Sequence, residues 1–419
     1  VSKKLGMTPD YDLSPGVIRK VIHAAVNGSS FRQAEEDLLA LGELSISSQR
    51  IRRVAKQIGQ ERVADRQQEI ERWQQLPLPT QRTSPIDTVP AVACVQPDGG
   101  RMQIRDRCDP QGGVPPSASK PRKGRFWRET KVGCLLSMSS QEYTNDPCPR
   151  IPRTFVDPAR IDEIAREIKG FWGEALEEDD TEDEESLRVE TESQRPERPQ
   201  PLLKSVVATR RDAEAFGLQL AAAAYQRGFA AAPRKAFVAD GQASNWTIWA
   251  RHFSHYTPVL DFVHAICYVF SAAMAGGDTP ANWKRYCRWA QWLWEGNTSQ
   301  IIDELVEQQA IVGLPSDDEA EGTPRQRMAE TLGYLRNQKA RTKYAEYRRR
   351  GLPLTSCYIE STIKQVNRRV KGTEKFWSSA AEEILQLTAD QISETDHMRA
   401  FWKARPSKLS GMRQYQTAI

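Results

Sequence analysis

Between residues 15 and 75 the apolar positions recur at helical spacing. Pro15 opens PGVIRKVIHAAVNG, in which Val17, Val21, Ile22 and Ala25 fall on one face. Ser29 or Ser30 caps a second predicted helix, FRQAEEDLLALG, ending at Gly42, and a third runs after ISSQ through RIRRVAKQIGQERVADRQQEIERW. From about Pro85 the period changes to that of strands. TVPAVACVQ, RMQIRD and KVGCLLSM are strand-like, and PDGG between the first two is a hairpin signal. GGVPPSASKPRKG reads as a Gly/Pro-rich loop and residues 158–173 as a helix. Alternation resumes after Pro201, and the Ala-rich helix RRDAEAFGLQLAAAAYQRGF leads to the short apolar run Ala236, Phe237, Val238, Ala239. PVLDFVHAICYVFSAAMAGG is a strand running into a helix, residues 280–350 are almost wholly helical, and TEKFWSSAAEEILQLTADQIS closes the pattern as a helix.

Composition sharpens this. The 419 residues carry a net charge of +4, but the stretch from Glu174 to Glu192 is heavily acidic, so the remainder is more basic than the total suggests. That bias fits nucleic acid better than a membrane. No run approaches a membrane span and no signal peptide opens the sequence, so a soluble, cytoplasmic protein is expected. Residues 174–200 read as a flexible acidic insertion, too poor in apolar residues to pack. The seven cysteines lack CxxC spacing, which argues against a zinc ribbon, and Cys94, Cys134 and Cys267 fall in apolar runs as buried thiols.

Three acidic phrases carry candidate chemistry. Asp98 in VACVQPDGG and Asp240 in FVADGQ each end an apolar run and precede glycine, a common way to hold a hard-metal ligand, although each Asp-Gly alone is also a plain turn. Glu360 in SCYIESTIKQVNRRVKG stands near the start of a helix whose later turns carry Lys364, Arg368, Arg369 and Lys371. An acid on a basic helix suits an enzyme that cuts a polyanion. The trio Asp98, Asp240 and Glu360 is therefore a candidate metal set, and carboxylates with open positions suit Mg²⁺ or Mn²⁺. Arg50, Arg52, Arg53 and Lys56 cluster in the third helix, which reads as part of a helix-turn-helix or as a basic face of a helical bundle. Trp283, Trp289, Trp292 and Trp294 have the spacing of a packed helix face rather than of a binding platform.

The order of strands, helices and a late acidic helix is that of a ribonuclease-H-like domain, whose acids sit on the central first strand, the fourth strand and a late helix. The chain also resembles the DDE transposases of bacterial insertion sequences, closest to the Kra-type family and distantly to the mutator-like group. The phrases that carry the resemblance are LGMTPDYDLSPGV, DGGRMQIRD, WRETKVGCLLSM, VADGQASNW, VLDFVHA, YLRNQKAR and GLPLTSCYIESTIKQVNRRVKGTEKFWS. It implies that Asp98, Asp240 and Glu360 are the catalytic acids, that Asp261 and His264 are an acid-x-x-His motif, and that the helices between His264 and Glu360 form an insertion. The implied activity is Mg²⁺- or Mn²⁺-dependent cleavage and joining of transposon-end and target DNA by a protein acting as a homodimer; the alternative is a catalytically silent DNA-binding relative. Lys364, Asn367, Arg368 and Lys371 would face the phosphate backbone. The expected organisation is an α/β protein: a helix-turn-helix unit at 1–80, the first part of the core at 85–270, a helical insertion at 271–350, the last part of the core at 351–400, and a tail at 401–419.

Overall fold

The computed structural model describes residues 13–104, 127–169, 198–277, 279–316, 318–319, 322–372, 375–377 and 380–408. Ser14 and Ser30 accept from the amides of Val17 and Gln33 and so start α1 (Pro15–Asn27) and α2 (Phe31–Gly42). The 28-residue α3 (Ser48–Gln75) follows, with the short α4 (Leu78–Gln81) after it. The chain then forms β1 (Val92–Ile104), β2 (Trp127–Ser139), α5 (Pro158–Lys169), β3 (Gln200–Thr209), α6 (Ala213–Gln226), β4 (Arg234–Ala239), α7 (Ala243–His252), β5 (Thr257–Leu260) and α8 (Phe262–Ala273). Four helices come next: α9 (Pro280–Glu295), α10 (Thr298–Val312), α11 (Pro324–Gln338) and α12 (Tyr344–Arg349). Last are α13 (Cys357–Val370), β6 (Phe376–Trp377), α14 (Ala381–Ile392) and α15 (His397–Lys408).

The chain is a mixed α/β protein. Its sheet has the order β3-β2-β1-β4-β5, with β1, β2 and β3 antiparallel and β4 and β5 parallel to β1; β6 pairs with the far end of β1. Successive strand residues point to opposite faces, and β2 shows what covers each. A Cβ on Gly133 would lie 2.3 Å from Leu220 of α6, whereas Cys134 meets Thr362 of α13. Helices α6 and α13 therefore cover opposite faces.

The hairpin expected at PDGG is not formed. Asp98, Gly99 and Gly100 pair with Val132, Lys131 and Thr130 in one uninterrupted β1, and neither glycine has positive φ. Thirteen residues of β2 offer a partner to both halves, and this long pairing overrides the local turn chemistry. The third antiparallel strand is instead β3, beyond the acidic segment. Most of that segment, 174–197, lies outside the described residues, as do the loop at 105–126 and residues 409–419. Residues 401–408, expected to begin a tail, belong to α15, where Phe401 is buried and Arg405 pairs with Glu61 at 2.7 Å.

Helices α1, α2 and α3 pack on one another, and their core is continuous with that of the sheet. The second half of α3 lies against α14: a Cβ on Gly59 would lie 2.5 Å from Glu383, Arg62 chelates Asp390, and Arg66 bonds Glu382 and Gln386. The tryptophans of α9 are core: Trp289 and Trp294 are buried, and Trp283 and Trp292 pack against them and their neighbours. Cys94, Cys134 and Cys267 are buried thiols. Among the described residues no helix is long and apolar enough to cross a membrane.

Candidate active site

The site begins where β1 and β4 part company. Their parallel pairing ends at Val95 with Phe237. Asp98 lies three residues past that pair on β1, and Asp240 three residues past it on the other strand. β4 and β5 stay paired through Ala239 with Leu260, so Asp240 and Asp261 are again level. Asp98 within β1, Asp240 just past β4 and Asp261 just past β5 thus take level positions on three neighbouring strands and line one crevice. That crevice lies where the chain's path across the sheet reverses, the usual ligand site of an open α/β sheet. Gln96 and Asp98 share a strand face two residues apart. Gln96 is fully buried, donates to Thr355 O at 3.1 Å and accepts from the Ile359 amide at 3.2 Å, so it fastens the first turn of α13 over β1.

Asp261 is completely buried and caps α8. One oxygen accepts from the His264 amide at 2.8 Å and faces His264 Nδ1 at 3.1 Å; the other accepts from the Ser356 amide and from Ser356 Oγ at 2.7 Å. Burial alone would raise its pKa, but the bonds from His264 and Ser356 bring it below the usual carboxylate value. An ionised carboxylate has about four acceptor positions, and here all four are taken. The same contacts join α8 to the residue that precedes α13. The pKa of His264 is raised to about 9: burial opposes the charge, but the Asp261 contact outweighs it, helped by Glu360 and Asp240.

Glu360 occupies the first turn of α13. Donor atoms of Asp261, His264 and Glu360 lie within 4.8 Å of one another, a spacing that would suit a cation. With Asp261 saturated, however, Asp261 and His264 form a hydrogen-bonded support, and Glu360 is the member of the trio left to act as a ligand. The groups with open oxygens are the other acids. Asp240 Oδ1 accepts from the Gln242 amide at 3.0 Å and from Asn245 Nδ2 at 2.9 Å, and Asp98 Oδ1 accepts from the Gly99 amide at 2.6 Å. In each, Oδ2 has no hydrogen-bond partner among the described residues. Burial, with Asp240 and Asp261 near, raises the pKa of Asp98 to about 6. Burial, with Asp261 and Asp98 near, raises that of Glu360 to about 7, although His264 and Lys364 pull the other way. The cleft holds more buried negative charge than its one imidazolium offsets. Its open donors are carboxylate oxygens, so a hard divalent cation such as Mg²⁺ or Mn²⁺ fits the residues present.

Two walls enclose the carboxylates. On one side α13 rides over Gly100, where a Cβ would lie 2.8 Å from Thr130 Oγ1 and 3.9 Å from Asn367. Lys364 and Arg368 are exposed on this helix, while Asn367 and Lys371 are half-buried, with Lys371 over Trp127 at 6.0 Å. On the other side α11 presses on the Asp240 loop: a Cβ on Gly241 would lie 2.2 Å from the Tyr334 ring, and Gln338 Nε2 donates to Gly241 O at 3.3 Å. Of the basic residues in α3, Arg52 and Arg53 are exposed, and Arg50 and Lys56 are half-buried.

The structure brings together all five of the predicted acid and histidine positions. Sequence reasoning missed Gln96, Ser356 and Asn245, which hold them. Gln96 had a signal, being a polar residue in an apolar run in phase with Asp98; Ser356 and Asn245 read as ordinary loop and helix residues. No protein-family model matches the chain, and no curated protein matches it.

Proposed function

We propose that this chain is a metal-dependent DDE transposase with a ribonuclease-H-like core, cutting and joining DNA at the ends of an insertion sequence. The observation that carries the reading is the register placing Asp98 and Asp240 level on β1 and just past β4, under a helix whose first turn holds Glu360. The sheet order, with three antiparallel strands followed by two parallel to the first, supports the same fold family. Helices α9–α12, lying between His264 and Glu360, correspond to the insertion.

In this reading Asp98, Asp240 and Glu360 hold the cations through their open oxygens. Divalent ions held there would supply Lewis-acid chemistry for the attacking water or 3′-hydroxyl and for the leaving oxygen. Asp261 fixes the His264 ring through Nδ1, leaving Nε2 to donate to the scissile phosphate. Lys364, Asn367, Arg368 and Lys371 grip the DNA backbone along α13 without reading sequence. The helix-turn-helix role falls to α1–α3, with Arg50, Arg52, Arg53 and Lys56 reading the element's ends. Two ends must be held together, so a homodimer on DNA is the working assembly, in the cytoplasm.

The test is Mn²⁺-dependent cleavage of duplexes carrying the DNA that flanks the coding sequence. Asp98→Asn, Asp240→Asn and Glu360→Gln should each abolish cleavage while leaving DNA binding intact. Specific DNA binding with no cleavage by the unaltered protein would mark a catalytically silent relative instead.

A further inference from the structure

Arg369 is a buried cation that the chemistry above leaves unused. It lies nine residues after Glu360 on α13 and is 3% exposed. Its Nε donates to Ala25 O at 2.7 Å, and its guanidinium carbon lies 4.5 Å from the Phe31 ring centre and 5.1 Å from that of Trp377. Nη2 is buried without a hydrogen-bond partner, and among the described residues no carboxylate pairs with the group. Burial accordingly lowers its pKa to about 10. A charge buried with so little compensation is a poor stabiliser, and an apolar side chain would fill the space at lower cost.

The partners supply a reason for an arginine. Ala25 belongs to α1 and Phe31 opens α2. Trp377 belongs to β6, which pairs with the end of β1, the strand of Asp98, and its Nε1 donates to Val370 O at 2.7 Å. One planar guanidinium, carried by the Glu360 helix, therefore meets both N-terminal helices and β6, the strand paired with the end of the Asp98 strand. Its fixed fork and flat face set direction in a way a flexible ammonium does not. The leverage is considerable: turning a helix by about 20° moves a group about 5–6 Å from its axis by about 2 Å. Metal ligands must be held to within about 0.5 Å.

We propose that Arg369 is a positioning residue that sets the rotation of α13 against α1 and α2, so that the seating of the N-terminal helices controls how tightly the carboxylate cleft holds a divalent cation. This rests on the reading of Glu360 as a metal ligand. The experiment is Mn²⁺ binding to the full chain, followed by the loss of the free-ion paramagnetic resonance signal, in the unaltered protein and in Glu360→Gln, Arg369→Met, Arg369→Lys and Phe31→Leu. Thermal melting and near-ultraviolet circular dichroism establish folding.

Arg369→Met and Phe31→Leu are expected to weaken Mn²⁺ binding about tenfold, with Arg369→Lys recovering only part of the loss. Phe31→Leu is decisive should Arg369→Met fail to fold, because Phe31 lies on α2 and belongs to no part of the cleft. If Glu360→Gln loses Mn²⁺ while folded Arg369→Met and Phe31→Leu bind it as the unaltered protein does, the positioning role is overturned and the metal site stands. If Glu360→Gln binds as well as the unaltered protein, the assignment of Glu360 falls, and the positioning role with it.

Discussion

Two regions of this molecule bury charge, and they do so in opposite ways. Between α3 and α14 each charge has its counterpart. Arg62 meets Asp390 with two bonds of 2.8 and 3.1 Å, and Arg66 meets Gln386 at 2.6 Å and Glu382 at 2.7 Å. Glu382 in turn accepts from Thr209 Oγ1 at 2.6 Å and the Arg210 amide at 2.8 Å. In the cleft, Asp98 and Glu360 are largely buried beside other acids, and burial and mutual repulsion raise both pKa values. In the first arrangement each of these charges is paired, although Arg66 Nε is buried without a hydrogen-bond partner. The second is left short of positive charge, and that shortage separates a binding site from a structural ion pair.

The comparison can be broken most forcefully at Asp390. Asp390→Ala leaves the buried Arg62 with only the looser Asp65 contact at 3.8 Å and should cost about 3 kcal/mol in chemical unfolding. Glu360→Gln, applied to a half-buried acid among like charges, should leave the metal-free protein as stable or more so. A loss at Glu360 comparable to that at Asp390 would erase the distinction.

Asp261 stands between the two regions, being saturated like the ion pairs but placed in the cleft. Asp261→Ala strands four donors and should cost about 3 kcal/mol. It should also return the His264 pKa from about 9 toward the ordinary 6.5, followed by imidazole proton resonances against pH.

The pH dependence of the metal-free protein sharpens the contrast further. Asp98 and Glu360 titrate at about 6 and about 7 when folded, above their ordinary 3.8 and 4.5. Between those limits the folded state binds more protons than the unfolded one, so stability falls as pH rises from about 4 to 7. The raised pKa of His264 acts in the same direction: its contribution is complete below 6.5 and is lost as pH passes about 9. His252, His255 and His397, whose pKa values burial lowers, act the other way, so melting scans from pH 5 to 8 isolate the cleft's decline as the difference between the unaltered protein and Glu360→Gln. Glu360→Gln should lessen it, and millimolar Mn²⁺ should flatten it in the unaltered protein alone.

The smallest stability effect is expected where charge is exposed. Arg52→Ala with Arg53→Ala should change stability by less than about 0.5 kcal/mol. Competition between specific and scrambled duplexes should nevertheless show a loss of about 1–3 kcal/mol of preference for each base contact removed.

The cleft was more legible in the sequence than its counterpart at α3 and α14. Asp240 and Glu360 each sit in a phrase whose neighbours announce a strand end or a basic helix, as the structure has them; Asp98 stood out by the same local pattern, but its strand continues past it to Ile104. Arg62 and Arg66 lie in a helix rich in arginine and glutamate that reads as a solvated surface; their partners Asp390 and Glu382 are on α14, and nothing local marks the burial. The reading of β1 failed for a related reason. PDGG has the composition of a turn, but whether it turns is decided by the length of β2, which begins only at Trp127. β3 was missed because its alternation, QPLLKSVVAT, begins in a polar stretch and clears only at Ser205.

The line of carboxylates also has a consequence in time. A chain is made from its N-terminus and its units fold as they emerge. Asp98 appears early on β1, with β2 and β3 able to pair beside it before any other acid of the cleft exists. Asp240 and Asp261 follow on β4 and β5, and Glu360 arrives only when α13 has been made. The repulsion that adds to burial in raising the pKa values of Asp98 and Glu360 is therefore deferred until most of the sheet is in place to bear it. A chain cut short before α13 lacks the cover of one sheet face together with the lid of the cleft and its last acid.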